Sequence, residues 1–332
     1  MANELNVMTS HNLLNYSGLL FNKGNTAVPF STLIGGKSRN TNHWEFSTSL
    51  AYTTGGGTSQ PAISETASLT APDPAFVTRA QKTNYCQIFQ RTVQISYGKQ
   101  SSMGQLSGLN IAGQTANPAT ELDFQVANQM AEMRNDIEYT FLRGTKQNGA
   151  DDSTAYKTAG ILNADEINNY AAGTVPLGYW VVAEAIRAIS ATHAPTDNLV
   201  LLAKAVNIMQ LNADASANGL TVIPNSRTVN GLNISTLITP FGTVGIIADE
   251  FLPDGTALLV NASVCAPVNM PVPGKGNFFL EPLAKDGASD RYMIYGQLGL
   301  DYGAGWYHSK ITGLTTTFTA PEFSKKVFVV NQ

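Results

Sequence analysis

The clearest pattern of apolar positions along the chain runs from residue 118 to residue 143. Six large apolar side chains follow one another at steps of three or four residues, namely Leu122, Val126, Met130, Met133, Ile137 and Phe141. This is the spacing of one face of an α-helix. Asn117 can cap such a helix, Pro118 suits its first position, and Gly144 suits the position after its end. The pattern predicts a helix of about 25 residues, roughly 37 Å long, which is more typical of a flat, elongated protein than of a compact enzyme.

The segment before this helix alternates in the way that strands do. From about residue 59 to residue 113, two stretches place every second side chain on one face, formed by Ile63, Glu65, Ala67 and Leu69 in the first and by Phe89, Arg91, Val93 and Ile95 in the second. Each stretch has only one modestly apolar face. Because an isolated two-stranded ribbon is marginally stable in water, the predicted hairpin needs another surface to pack against.

The first 58 residues show neither helical nor strand periodicity. Large apolar residues, including Phe30 and Trp44, occur singly or in small groups between glycine and polar residues. Two interpretations are open: a mobile tail, or an arm that lies along a neighbouring surface and places its aromatic side chains in that surface. The recurring large apolar residues favour the arm, because tails generally lack them.

The second half of the chain mixes helical and strand patterns. Helices are predicted where Val182, Ala185, Ile186 and Ile189 share a face, and from Ala205 to Ala217, where Val206, Met209 and Ala213 share one. The continuous apolar run at 199–202 predicts a buried strand. Further strands are predicted at 242–248, 257–260, 292–300, 310–319 and 326–330. We therefore expect one continuous architecture with a helix-and-sheet insertion near residues 179–280.

Composition changes this picture in one respect. Only 13% of the 332 residues are charged, about half of the usual ~25%. A protein with so few charges covers its surface with small polar side chains, or with other copies of itself. The 20 Lys and Arg residues against 24 Asp and Glu residues give a net charge of −4, which excludes a basic nucleic-acid-binding protein.

Cysteine usage and targeting signals indicate a protein that is made in the cytosol. Cys86 and Cys265 are the only cysteines, and they form no disulfide framework. No segment approaches the roughly 18 to 20 apolar residues of a membrane span. Residues 1–24 lack the basic start and dense apolar run of a signal peptide.

Almost no residues are arranged for catalysis. The four histidines are isolated, and no metal-binding or phosphate-binding motif occurs. Ser96 and Lys99 match an S-x-x-K pattern, but they end a predicted strand, where that pattern has no catalytic context. Asp151 and Asp152 form a lone acidic pair in a polar loop, which is expected to be solvated. The sequence therefore predicts no catalytic residue, cofactor or metal.

The order of the elements resembles the major capsid proteins of tailed bacteriophages. Three stretches carry the resemblance. NYCQIF at 84–89, running on to VQIS at 93–96, is similar to the return strand of the capsid extended loop. The run from ANQM at 127–130 to FLRG at 141–144, with TAGI at 158–161 beyond it, is similar to the spine helix of that family. EPLAKDG at 281–287, running on to KITG at 310–313, is similar to its closing strands.

The resemblance implies an α+β fold of the Hong Kong 97 type. Its parts would be an N-terminal arm at 1–58, an extended loop at 59–117, a spine helix and peripheral domain at 118–178, an axial domain at 179–280, and closing strands of the peripheral domain at 281–332. Since about 117 residues precede the spine and are all needed for the arm and loop, we expect no built-in scaffold.

The function implied by the resemblance is structural. Copies of the chain would self-assemble into hexamers and pentamers that form an icosahedral head around phage double-stranded DNA. The implied partners are further copies, a portal protein, any separate scaffolding or decoration protein, and DNA contacted non-specifically, with no membrane and no cofactor. The subunit would assemble in the host bacterial cytoplasm and end in the virion.

Candidate subunit contacts follow from face and position. They are Phe30, Trp44, Phe89, Arg91, Val93, Arg134 and Glu138. Two alternatives remain open at the level of sequence. One is another self-assembling protein, such as an encapsulin-like nanocompartment shell or a phage tail or decoration protein. The other is an enzyme of unknown type, which would need a converging set of titratable groups.

Overall fold

The computed structural model of the chain describes residues 27–52, 60, 62–71, 76–77, 79–101, 121–217, 222–229, 232–285 and 287–318. The helices are α1 (Pro29–Ile34), α2 (Glu65–Ser68), α3 (Tyr97–Ser101), α4 (Glu121–Arg143), α5 (Tyr179–Ala191) and α6 (Ala205–Ala217). The first strands are β1 (Arg39–Asn40), β2 (Glu45–Tyr52), β3 (Arg79–Tyr85), β4 (Gln87–Ser96), β5 (Asn168–Val175), β6 (Leu199–Ala203) and β7 (Val222–Val229). The remaining strands are β8 (Leu232–Thr239), β9 (Gly242–Ala248), β10 (Thr256–Asn261), β11 (Ala266–Asn269), β12 (Phe278–Pro282), β13 (Ser289–Asp301) and β14 (Ser309–Leu314).

A seven-stranded sheet lies at the centre of the molecule. Its strand order is β5-β14-β10-β6-β9-β8-β7, with β5 parallel to β14 and β6 parallel to β9. Every residue of β6 and β10 is buried. The predicted strand at 199–202 is confirmed, and its unbroken apolarity follows from burial on both faces.

The two faces of this sheet belong to different hydrophobic cores. Leu199 and Leu201 point into a core that α5 closes with Val182, Ile186 and Ile189. Val200 and Leu202 point to the opposite face, into a core with Phe30, Met133 and Phe141 from α1 and α4. Successive side chains of a strand point to opposite faces, so one short strand supplies both cores.

A five-stranded sheet surrounds the long strand β13. Strand β4 pairs along one side of β13, from Gln87 opposite Leu298 to Ser96 opposite Ser289. Strands β12 and β11 pair with the other side, and β1 extends the sheet beyond β11. The predicted apolar face of β4 is confirmed, since Phe89, Val93 and Ile95 are all buried. The hairpin partner predicted for this strand, residues 63–69, is wrong because β13 occupies that position.

Residues 65–68 form a short helix instead of a strand. The side chain of Ser64 accepts a hydrogen bond from the Ala67 backbone N–H at 3.1 Å, which caps α2 at its N-terminus. A serine cap satisfies an otherwise free helical donor and favours the helix locally. Residues 63–69 are mainly small and polar, so a strand there would bury little apolar surface. That burial would stabilise a strand less than the serine cap stabilises the helix.

The long helix α4 ends at Arg143, as predicted, and its 23 residues span about 34 Å at 1.5 Å per residue. The predicted cap and first position at 117 and 118 lie outside the described residues. The chain leaves the helix through a close backbone approach, because a side chain at Gly144 would meet the carbonyl oxygens of Thr140 and Thr158 at 2.5 Å. Glycine is required there for steric reasons.

Helix α6 has the predicted bounds but buries a different face. The sequence indicated Val206, Met209 and Ala213, whereas the buried residues are Asn207, Gln210, Leu211 and Ala215. Gln210 accepts a hydrogen bond from the Leu177 N–H at 3.0 Å and donates to the carbonyl oxygens of Thr315 and Thr317 at 3.0 and 2.9 Å. Because these polar atoms find partners inside the protein, the amide side chains can be buried at low cost.

The two sheets divide the chain differently from the predicted segments. Strands β11 and β12 belong with β13, although the sequence placed residues 179–280 in one insertion. Strand β14 belongs to the seven-stranded sheet, although it was assigned with the closing strands at 281–332. The predicted strand at 326–330 lies outside the described residues. None of the helices in the described ranges combines the length and apolarity of a membrane span.

Candidate assembly surface

Strands β2 and β3 form a two-stranded ribbon that pairs with no other strand among the described residues. The pairing runs from Glu45 opposite Tyr85 at the base to Tyr52 opposite Arg79 at the far end. The side chains of β3 change from exposed at 79–81 to buried at 84 and 85. The ribbon therefore projects from the body, and only its base is packed.

Asn84 fixes the base of the ribbon. Its side chain is fully buried; its Nδ2 donates to the carbonyl oxygens of Leu300 at 2.7 Å and Ala159 at 3.2 Å, and its Oδ1 accepts from the Ala159 N–H at 2.8 Å. One amide thus connects β3, β13 and the segment after α4. A buried amide that is satisfied on both ends holds its partners in one geometry.

Aromatic side chains pack beside this amide. Trp44 stacks on Tyr156 with a ring separation of 5.0 Å and nearly parallel planes, and Tyr85 lies against the same ring at 5.7 Å. The ring of Phe46 covers Gly299, where a side chain would approach it to 2.7 Å. These contacts bury one end of the ribbon against the body.

Ion pairs add to the packing at the ribbon base. Lys82 bonds to Glu166 at 2.9 Å, and Lys146 lies 3.7 Å from Asp165. The hydrogen bond and the charge of Glu166 raise the pKa of Lys82. Such exposed pairs are screened by solvent and contribute little to stability, so the buried amide and the aromatic packing hold the ribbon base.

The ribbon and its connecting segment carry large apolar side chains that face solvent. They are Leu50, Ile63, Leu69, Phe76 and Val77. Leu69 is 84% exposed and Phe76 is 89% exposed. Single exposed apolar residues are normal, whereas several of them within one stretch of the chain indicate a protein–protein contact.

Four of the predicted contact residues lie inside the subunit itself. Phe30 and Phe89 are buried in the core that α4 covers, Val93 is also buried, and Glu138 is fully buried on α4. These side chains are closed off by their own chain, so their prediction as surface contacts is corrected to a role in subunit folding. The sequence pattern was right about an apolar face, but that face packs on the same chain.

The other three predicted residues remain at the surface or close to it. Trp44 is half-buried against Tyr156, and Arg134 is exposed on α4. Arg91 is partly exposed and bonds to two carboxylates of α4, with 2.5 Å to both Glu132 and Asp136. The hydrogen bond and charge of Asp136 raise the pKa of Arg91. This guanidinium attaches β4 to the long helix within one subunit.

Trp180 is a candidate contact residue that sequence reasoning missed. It is 72% exposed on α5. The signal was available, because Trp180 lies off the face that carries Val182, Ile186 and Ile189. A tryptophan that faces solvent on an otherwise well-packed helix is a frequent feature of interfaces.

The chemical motifs that the sequence raised have structural roles. The Ser96 hydroxyl accepts a hydrogen bond from the Lys99 backbone N–H at 3.3 Å. Asp151 Oδ1 accepts from the N–H groups of Ser153 and Thr154, and bonds from these two residues lower the pKa of Asp151. Within the described ranges, no three His, Cys, Asp or Glu side chains converge as metal ligands.

Two buried titratable groups, His308 and Asp249, left no signal in the sequence pattern. His308 Nδ1 accepts from the Asn261 N–H at 3.1 Å and its Nε2 lies 2.7 Å from the Tyr302 carbonyl oxygen, to which it donates in the neutral tautomer that fits both contacts. Burial lowers the pKa of His308 to about 4. Burial, and next the charge of Glu138, raise the pKa of Asp249 to about 8. His308 connects two chain segments through its hydrogen bonds, and Asp249 is protonated at neutral pH.

Comparison with solved structures defines the class of the fold. The SrpI encapsulin from Synechococcus elongatus PCC 7942 is similar, with a TM-score of 0.61 and 11% identity over 90% of this chain and 91% of that chain. The cyanophage A-1(L) capsid gives 0.56 and 12% over 87% and 93%. The capsid of the Myoviridae phage XM1 gives 0.53 and 14% over 84% and 90%. The chain therefore has the Hong Kong 97-type capsid fold.

A comparison with protein families identifies the chain more closely. The family described as SU10 major capsid protein matches residues 4–315, so the chain belongs to that family. It is a structural protein of the virion capsid of a tailed bacteriophage, and its function is to self-assemble with other copies into the shell. No curated protein sequence matches it.

Proposed function

We propose that the chain assembles into hexamers and pentamers, which close into an icosahedral head around double-stranded DNA, and that the ribbon β2–β3 makes a main contact between neighbouring subunits. The observation that carries the proposal is the group of exposed apolar side chains on β2 and on residues 63–77, which connect it to β3. Burial of such side chains contributes about 25 cal/mol per Å². In a capsid shell, the protein next to each subunit is another copy of the same chain, so a copy is the proposed partner.

The receiving surface in this proposal is the exposed side of the long helix. Met130 and Arg134 lie one turn apart on α4 and both face solvent. An apolar side chain beside a cation suits a partner segment that carries leucine and phenylalanine next to polar residues. Because the ribbon base is fixed by Asn84 and Trp44, its far end would meet this surface in a nearly constant direction.

In the same proposal, the seven-stranded sheet with α5 and α6 forms the axial domain around capsomer centres. The five-stranded sheet with α4 forms the peripheral domain. Trp180, exposed on α5, would then lie between axial domains of one capsomer. Assembly in the reducing cytoplasm of the host agrees with two buried free cysteines. Portal, scaffolding and decoration proteins are expected at the margins of this shell.

A double substitution in the segment that connects β2 to β3 tests the main contact. Leu69→Asp with Phe76→Asp places charges where apolar contact is proposed, and neither side chain contributes to the subunit core. We expect the variant to fold with a thermal midpoint near that of the wild type, since surface changes are usually within about 0.5 kcal/mol. It should fail to form shells in size-exclusion chromatography and negative-stain electron microscopy.

Leu69→Met with Phe76→Leu is the matched control, because it keeps the apolar character and should assemble. Normal shells from the aspartate variant would show that the ribbon is not a main contact. The similarity to an encapsulin favours a nanocompartment shell as the second candidate function. Purified particles that contain a protein cargo and no DNA would favour that function over a phage head.

A further inference from the structure

Glu138 acts as the N-terminal cap of a helix from a distant part of the chain. Its Oε1 accepts from the Phe30 N–H at 2.7 Å and its Oε2 accepts from the Ser31 N–H at 2.8 Å, with a further bond from the Ser31 hydroxyl. The residue at the usual cap position, Val28, makes no side-chain cap. A carboxylate on α4 therefore satisfies the first free donors of α1 and fixes that helix to the spine.

A second buried carboxyl lies beside Glu138. Asp249 follows the last residue of β9 and is 1% exposed. Its Oδ1 accepts from the Phe251 N–H at 2.9 Å. No N–H or O–H group of the described residues donates to its Oδ2, and the Glu138 carboxyl is the neighbouring charge that raises the pKa of Asp249 most. The pair thus joins three parts of the fold: α1, α4 and the turn after β9.

Two carboxylates in this position cannot both carry a charge at low cost. Burial disfavours the charged form of each, and a neighbouring like charge disfavours it further. Glu138 has three donors and is the better site for the charge, whereas Asp249 has one. Burial raises the pKa of both groups, and the hydrogen bonds from Ser31 and Phe30 oppose that rise at Glu138. The pair titrates in two steps, and between them it holds one proton.

We propose that Glu138 and Asp249 share one proton and form a pH-sensitive clamp, which joins α1 and the turn after β9 to the long helix near neutral pH and loosens when that proton leaves. From α1, the groups that face the pair are the Phe30 and Ser31 N–H groups and the Ser31 hydroxyl. From the turn after β9 they are the Phe251 N–H and the charge of Glu250. The donors named here are neutral groups and Glu250 is an anion, so none of them supplies a positive charge in place of the shared proton.

Loss of this proton leaves two buried anions that need water. Water can reach them only if residues 29–34 or residues 249–254 move away from α4. The pKa of Asp249 rises from an ordinary 3.8 to about 8 on folding. The stabilising effect of the proton is therefore complete below pH 3.8 and is lost as the pH rises to about 8, with no further change above it. The clamp is closed in mildly acidic solution and loosest in mildly alkaline solution.

Hydrogen–deuterium exchange of the full-length wild-type chain tests the clamp between pH 6 and pH 9. After correction for intrinsic exchange rates, we expect protection to fall by about tenfold or more in segment 29–34, in segment 249–254, or in both. The Asp249→Asn variant keeps a neutral group at the site and should show constant protection. Asp254→Asn is the matched control, since Asp254 is an exposed carboxylate of the same turn, paired with Lys204, and its removal should leave the wild-type behaviour.

Constant protection of both segments in the wild type would overturn the proposal, and so would an Asp249→Asn variant that loses protection like the wild type. Infrared spectroscopy of the wild type supplies a readout that needs no variant. A protonated carboxyl band should persist at pH 7 and disappear by pH 9. A wild-type spectrum without that band at pH 7 would show that the pair holds no proton.

Discussion

Single buried polar side chains connect distant segments of this subunit. Asn84 joins the ribbon to β13, Gln210 joins α6 to the chain after β14, and His308 joins β14 to β10. Each one binds backbone groups that would otherwise be buried without partners. An unsatisfied buried donor or acceptor costs about 1–3 kcal/mol. These residues therefore specify how the segments pack, in addition to the apolar cores.

His308 gives the subunit a defined acid sensitivity. The imidazole is neutral, because Nδ1 accepts from Asn261 and burial lowers the pKa from 6.5 to about 4. The unfolded chain binds this proton more readily, so the stability that the neutral ring contributes is complete above pH 6.5 and is lost as the pH falls to about 4. Thermal unfolding should show this loss in the wild type. His308→Asn should remove that part of the pH dependence and cost about 1–3 kcal/mol at pH 7.

An exposed histidine provides the control for this measurement. His43→Asn should keep the full acid-induced decrease in thermal midpoint, since His43 lies at the surface. If His308→Asn declined between pH 6.5 and pH 4 as steeply as the wild type, the effect would have to be assigned to other groups.

For single residues, the sequence pattern predicts which side chains share a face of a strand or helix. It does not predict which segment of the protein packs on that face. The shared face of Phe89 and Val93 was correct, yet both side chains are buried inside the same chain, Phe89 in the core with α4. Glu138 lies at a helical position that would normally face water, and only the fold shows that α1 covers it. Trp44 and Arg134 stay candidates for subunit contact, because they retain accessible surface.

Among secondary-structure elements, the strongly periodic ones were predictable and the polar ones were not. Helices α4 and α5 and strands β6 and β9 have enough apolar residues at a fixed spacing to show in the sequence. Strand β5 begins with Asn168 and Asn169 and was not predicted. It lies at the edge of its sheet and is held by backbone hydrogen bonds to β14, which leave little trace in the side chains.

The ribbon is an element whose position depends on one residue at its base. Asn84→Ala would remove four side-chain hydrogen bonds and leave the Ala159 N–H and the Leu300 carbonyl buried without that partner. We expect a loss of about 2–4 kcal/mol in the free energy of unfolding. Urea denaturation measures this loss, and limited proteolysis should show faster cleavage near the ribbon base.

The exposed Asn148 offers a matched control for this change. Asn148→Ala should alter the stability by less than about 0.5 kcal/mol. Equal stability of the Asn84 and Asn148 variants would mean that the aromatic contacts of Trp44 and Tyr85 hold the ribbon without the amide.

On the scale of the whole molecule, the chain passes between the two sheets more than once. It leaves the seven-stranded sheet after β10, builds β11 to β13 in the other sheet, and returns to insert β14 between β10 and β5. The five-stranded sheet is complete only after six strands of the seven-stranded sheet have been made, and β14 then completes the seven-stranded sheet. This long-range pairing explains why segments drawn from sequence order did not match the sheets, and it indicates that the two layers fold as one unit.

The overall charge belongs to this scale as well and leads to a prediction about DNA binding by the proposed shell. With 20 basic and 24 acidic residues, the subunit has no excess of cations to displace counterions from DNA phosphates. Where a protein does displace them, the logarithm of the binding constant falls with the logarithm of the salt concentration, with a slope of about −0.9 per phosphate contact. We expect weak binding of a labelled duplex with little salt dependence, measured by fluorescence anisotropy on the non-assembling Leu69→Asp, Phe76→Asp variant. Tight binding that weakens steeply with salt would contradict a shell that encloses DNA and binds it only weakly. It would show that a local basic surface outweighs the net charge of the subunit. The expected result follows from the way such a shell would work: DNA held loosely by its wall can be packed densely and still leave the head.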